Sequence, residues 1–323
     1  MKIGMQMVSR PQPGGMVAFA ALVALSSTSC VQRTDSSAVD VEPHPLVTAS
    51  AVDMVFLPGG TFMMGSDDGD DDEQPCHQVK LSPFLIDAHE VTHQMFSSAE
   101  LPNPSRWQDD PHKPVESVRW RDAKIYCNER SLLEGLEPCY DESKPGLPCN
   151  FEASGYRLPT EAEWEFACRA GSQGDYACGT SDKLKSYANY DENSGWETEP
   201  VRSRKPNRWN IFGMHGNVCE WCQDVYDPDF YQASPQLDPH GPPAPNGDAK
   251  RVIRGGSWKA SARMCRSSFR QGQRTGDTDA CFATDYCGFR CVRRMTLEQW
   301  NQQQHNQPSA DVTKPDRMAN NSS

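Results

Sequence analysis

Ser257 and Cys265 stand where residue types and spacing most suggest chemistry. They lie in Arg251–Cys265, RVIRGGSWKASARMC, where a strand-like run meets a Gly-Gly pair, then Ser257 and Trp258, with a cysteine after a short spacer. Adjacent glycines allow positive φ or close backbone approach, which a buried turn beside a pocket requires. In that setting Ser257 supplies a hydroxyl, Trp258 a wall and Cys265 a thiol. The same residues also read as a tight turn, a core Trp and one half of a disulfide. Residue types alone favour that second reading, because structural cysteines outnumber reactive ones in oxidised proteins.

Two other clusters invite a metal. HEVTH (His89–His93) matches the zinc-protease pattern, in which two His one helical turn apart share zinc and the Glu acts as base. Its local signals contradict that. Thr92 is a good N-cap, with Val91 placed to pack on Phe96 as a hydrophobic staple. The helix then starts at His93 and leaves His89 outside, so zinc proteolysis is a remote alternative. DDGDDDEQ (Asp67–Gln74) is rich in carboxylates but lacks the position-twelve Glu of an EF-hand, and it reads as a solvated acidic loop.

MVFLPGGTFMMG is strand-like, and a helix is expected near Arg121–Leu133 from Ala123, Tyr126, Cys127 and Arg130 at helical spacing. Cys139 and Cys149 bracket a Gly/Pro-rich loop and are near enough in sequence to close a small disulfide ring, although spacing alone fixes no pairing. Thr160-Glu161-Ala162-Glu163 is a capping box for a helix running toward Arg169, with Gly171 as its stop. From Ser186 to Asn207 the chain reads as loop.

Six stretches, in order, carry a resemblance. MVFLPGGTFMMGS, FLIDAHEVTHQMF, GYRLPTEAEWEFACRAG, NIFGMHGNVCEWCQD, RVIRGGSW and GFR make the chain similar, over about Val52–Arg294, to the formylglycine-generating enzyme family, also called sulfatase-modifying factors. The resemblance implies an irregular α/β (α+β), C-type-lectin-like fold with little regular secondary structure. It also implies an enzyme that oxidises a client cysteine to formylglycine, using O₂ and a Cu(I) held by two cysteine thiolates, soft ligands suited to that ion. Those cysteines fall at the second and seventh positions after GGSW, here Ala260 and Cys265, so half the clamp is absent. The family's GNVWEW is GNVCEW here, placing Cys219 where the enzymes have a Trp beside the site. Cys219 either restores a two-thiolate site with Cys265 or is locked to it as a disulfide, the outcome expected in an oxidising compartment.

The resemblance further implies a Cys127–Cys291 disulfide. It implies a calcium site at Asn189 and the Tyr190 carbonyl, with hard oxygens nearby from Asp191, Glu192 or Glu197. A second calcium site maps onto Gly216, Val218 and Glu220, with Gly213 where the family has a side-chain ligand. The family's metal-free EVT falls at HEVTH. The expected function is therefore a binding or degenerate member, with protein or glycan as ligand. The alternative is an active copper- and O₂-dependent oxidoreductase working through Cys265 and Ser257.

Composition sets the compartment. The chain has 323 residues, Lys+Arg 32 against Asp+Glu 44 and a net charge of −12, so a nucleic-acid partner would be repelled. Thirteen cysteines exceed what a routine cytosolic protein carries. Lys2 and Arg10, the apolar Met16–Leu25 and the small residues Ser26–Ser29 before Cys30 read as a signal peptide over 1–30, of lipoprotein type with Cys30 acylated. Ser27 stands where Leu is usual, which keeps ordinary cleavage open. Without Cys30, twelve cysteines remain and allow at most six disulfides. The expected layout is a disordered tether over 31–50, the domain over 51–295 and a disordered tail over 296–323. The expectation is a monomer, periplasmic or anchored at a bacterial outer membrane, touching membrane only through that lipid.

Overall fold

The structure, a computed structural model, describes residues 42–244, 249–275 and 283–306. The signal segment, Cys30 and Cys281 lie outside the described residues. Five strands come first: β1 (His44–Val47), β2 (Asp53–Leu57), β3 (Gly60–Met64), β4 (His77–Leu81) and β5 (Phe84–Asp87). Two helices follow, α1 (His93–Ser98) and α2 (Trp120–Leu133), then β6 (Tyr156–Arg157) and α3 (Glu161–Arg169). The rest comprises β7 (Cys219–Val225), β8 (Arg251–Arg254), β9 (Arg270–Gln273), β10 (Cys287–Gly288), β11 (Val292–Arg294) and α4 (Leu297–Asn306). The architecture is mixed α/β with few helices and several small sheets, as expected. One sheet runs β1-β2-β5-β11-β6, a second β10-β7-β8-β9, and β3 pairs with β4.

The cap signals hold. Thr92 Oγ1 accepts from the Met95 amide at 3.2 Å, and α1 begins at His93. Val91 and Phe96 are buried in one apolar cluster, as the staple requires. Thr160 Oγ1 accepts from the Glu163 amide, and Glu163 Oε2 accepts from the Thr160 amide at 2.8 Å. Ala170 then leaves the helix in a left-handed conformation.

Every residue of α3 is buried, including three glutamates and an arginine. Such burial needs paired charges. Arg254, at the end of β8, reaches Glu161 at 2.8 Å and Glu165 at 2.5 Å; Arg270 on β9 forks onto Glu161; Arg157 forks onto Glu163. The helix is thus bonded to the sheet that carries the GGSW turn.

Two expectations are corrected. The sequence puts the tether through residue 50, yet His44–Val47 is a strand paired with β2, and Leu46 is buried. The sequence puts a disordered tail from residue 296, yet α4 packs back on the domain: Trp300 stacks on Phe56 at 4.4 Å, with His44 at 5.6 Å from the same indole. One large aromatic in a polar run supplied the apolar area. Thr296 and Gln299 form a reciprocal cap in the TLEQ sequence, a start signal that the composition of the tail concealed. Residues 307–323 lie outside the described ones.

Replacing Arg254 with Ala leaves Glu161 and Glu165 short of a buried partner. Urea denaturation should show a loss of about 3–5 kcal/mol, whereas an exposed pair such as Lys144–Asp141 should contribute less than about 1 kcal/mol.

Candidate functional site

The turn after β8 builds the site. Arg254 ends the strand in its two ion pairs, then Gly255 and Gly256 take φ of +94° and +72°. A Cβ on Gly256 would lie 2.6 Å from Cys265 Sγ, so only glycine lets the backbone pass over that sulfur. Ser257 follows at the wall of a cavity of about 390 Å³, also lined by Cys219, Lys259, Ala260, Met264 and Tyr286. Trp258 is held by its amide on the Asn217 carbonyl and its Nε1 on the Asp285 carbonyl. Lys259 pairs with Asp285 at 3.2 Å and lies 3.9 Å from the Tyr286 ring centroid.

Cys265 does not line this cavity. It is fully buried in a small cluster with Tyr176, Leu184, Tyr190 and Ala260, and burial, with the Asp191 charge second, pushes its thiol well up. His215 fixes the backbone there. Its Nδ1 lies 2.8 Å from the Cys265 carbonyl, while its Nε2 lies 3.0 Å from the Ala177 amide, which can only donate. The ring is therefore neutral with the proton on Nδ1, and burial lowers its pKa to about 4. Cys168 sits 3.6 Å from Ser267 Oγ beside that imidazole, but it too is enclosed and its thiol is raised to about 12, mainly by burial.

A two-thiolate copper clamp does not fit these residues. Ala260 brings no donor, and Cys265 is a closed-off thiol held in its protonated form. The strand register places Cys287, not Cys265, directly opposite Cys219. Cys127 Sγ and Cys291 Sγ approach to 3.6 Å in the core. Cys139 and Cys149 are drawn together by the Tyr140–Cys149 bridge and the Asn150 amide on the Cys139 carbonyl.

The two calcium sets fare differently. Asn189 Oδ1 and Asp191 Oδ1 are buried with no hydrogen-bond partner among the described residues, which suits a hard cation. Glu220 is otherwise occupied. Arg290 forks onto both its oxygens at 2.7 Å, and Trp164 Nε1 donates at 2.9 Å. At Gly213, a Cβ would stand 2.1 Å from Glu90 Oε2, so the Glu90 carboxylate fills the space a ligand side chain would need. The Gly216, Val218 and Glu220 set therefore does not fit as a cation site.

Glu90 also closes the zinc question by geometry. The would-be base is fully buried, bonded to Asn217 Nδ2 at 3.1 Å, and raised to about 7 chiefly by burial. His89 lies before the helix with Nδ1 on the Glu90 carbonyl at 2.8 Å. Sequence reasoning missed Glu90, Lys259, Tyr286 and Cys287 as members of these sites. A two-residue strand such as β10 has no period to read, so Cys287 gave no signal beyond being a cysteine.

A sulfatase-modifying factor enzyme 1-like domain matches residues 40–295, and the chain belongs to that family. It is 31% identical to the formylglycine-generating enzyme of Streptomyces coelicolor, with 81% of this chain and 96% of that protein covered. It is 36% identical to serine/threonine-protein kinase pkn1 of Chlamydia caviae over 79% of this chain, but spans only 39% of that protein. The inactive C-alpha-formylglycine-generating enzyme 2 of Mus musculus is 30% identical, with 74% and 85% covered. Among solved structures, Treponema denticola variable protein 1 superposes with a TM-score of 0.69 at 30% identity, covering 78% of this chain and 99% of that one.

The neutral His215 sets a pH dependence. Its folded pKa is about 4, below the ordinary 6.5. The unfolded chain therefore binds the extra proton between those values, and stability falls as pH drops through that window. Glu90, raised in the fold, acts in the opposite sense between about 4.5 and 7. The check is the difference between wild type and His215→Gln in urea melts. Wild type should lose up to about 1.4 kcal/mol per pH unit relative to the variant.

Proposed function

We propose that this chain is an exported, ligand-binding member of its family that does not carry out copper-dependent cysteine oxidation. One observation carries the reading: Ala260 stands where a second thiolate would be, over a Cys265 sealed from the cavity. What remains is a recess with a hydroxyl at Ser257, an ammonium at Lys259 and a phenol at Tyr286, suited to a peptide or glycan. The name of the mouse relative supports the existence of inactive members. No helix among the described residues is long and apolar enough to cross a membrane. A calcium ion at Asn189 belongs to the same reading, supported by the unpartnered Asn189 and Asp191 oxygens.

The test is Cu(I) titration of reduced protein against a competing chelator, alongside turnover of a CxPxR peptide. Wild type should bind no stoichiometric copper at Cys265 and form no aldehyde. Ala260→Cys should gain Cu(I) affinity by at least an order of magnitude if the geometry of the turn is intact. Aldehyde formation by wild type would refute the reading.

A further inference from the structure

We propose that Cys219 and Cys287 form a reversible cross-strand thiol–disulfide pair at the wall of the Ser257 cavity. The register carries this. Cys219 opens β7, Cys287 opens β10, and the two are Cα partners in a parallel pairing. Neighbouring strands lie about 4.8 Å apart, inside the Cα separation of roughly 4.4–6.8 Å that a disulfide spans. Directly paired residues also project to the same face of a sheet. The β10 backbone is tied to the same place, since the Cys219 amide donates to the Tyr286 carbonyl at 2.8 Å and Cys219 Sγ donates to that oxygen at 3.1 Å.

The two sulfurs differ in access. Cys219, itself largely buried, lines the cavity of about 390 Å³, whereas Cys287 is fully buried and is not among its walls. An oxidant entering the cavity therefore meets Cys219 first, and Cys287 resolves the adduct. With glutathione disulfide, Cys219 gives up its proton and attacks one sulfur, and the departing glutathione takes a proton. Cys287 then gives up its proton and attacks Cys219 Sγ, releasing the second glutathione. Two protein thiols become one disulfide, and one glutathione disulfide becomes two glutathione thiols.

A soft metal is the weaker occupant of the same pair. Bound between two thiolates, a monovalent ion leaves a net negative charge beside the buried Glu220, which follows Cys219 in β7. A disulfide is neutral and adds no charge to an enclosed site. Burial, then contact with Cys219, already pushes the Cys287 thiol well up, the direction expected where thiolate is disfavoured. Tyr286, one residue before Cys287, lines the recess, so the bond would pin one wall of it.

The test equilibrates full-length protein with glutathione mixtures of increasing oxidised fraction, quenches with acid, alkylates after unfolding and maps the peptides. A Cys219–Cys287 linked peptide should accumulate with the oxidised fraction and vanish on re-reduction. Cys287→Ser should trap Cys219 as the mixed glutathione disulfide, and Cys219→Ser should leave Cys287 unmodified. Recovery of both thiols alkylated at every ratio overturns the proposal, as does a peptide linking Cys219 to Cys265. These wild-type readouts stand even if a variant fails to fold.

Discussion

Arg254 is the constraint on which the site depends. Its guanidinium has no exposure and is shared between Glu161 and Glu165, four residues apart on one face of α3, with the Ser267 carbonyl at 2.6 Å as a further acceptor. A planar fork with fixed donor directions meets this geometry, and a lysine would not. Two carboxylates on a helix and one cation on a strand fix the rotation of the helix against the sheet. The chain then leaves Arg254 directly into Gly255, so the same bonds set where the turn begins. Buried ion pairs contribute little net stability over apolar packing. Their contribution here is registry, because any shift of α3 along β8 would strand a charge in the core.

The same device recurs in both larger sheets, at Glu220 on β7 and Asp87 on β5. Arg290 forks onto Glu220, and Arg130 reaches both oxygens of Asp87. The short stretches that carry the family resemblance are largely the members of these pairs: EAEWE on α3, Arg254 of RVIRGGSW, Glu220 of GNVCEW and Arg290 of GFR. Each is a buried charge whose replacement would leave its partner unpaired in the core. Membership is thus carried by groups that hold the framework together, and it is a separate matter from activity.

What the sequence disclosed follows the same physics. Thr92 and Thr160 announced their helices because a cap is a local bond between residues three apart, and α2 was visible from its period. The Cys219–Cys287 register was invisible, because it depends on β10, two residues long, arriving beside β7 from across the chain. Glu90 was read within a zinc motif, and only the fold shows its carboxylate occupying the space left by Gly213. The strand β1 and helix α4 were hidden by polar composition. Each packs through one or two apolar side chains, Leu46 and Trp300, too few to form a period.

The Ala260 position is held by its backbone alone. Its amide donates to the Ser257 carbonyl at 2.9 Å, and its carbonyl accepts from the Asp191 amide at 3.1 Å. Both bonds are made by backbone, so they hold the turn whatever side chain stands there. The methyl of Ala260 packs in the small cluster with Cys265 and Tyr190, where it leaves no polar group unsatisfied. No hydrogen bond that holds the turn therefore depends on the side chain at this position. The turn that lines the recess is thus held by its own backbone, independently of any chemistry the side chain at 260 could bring.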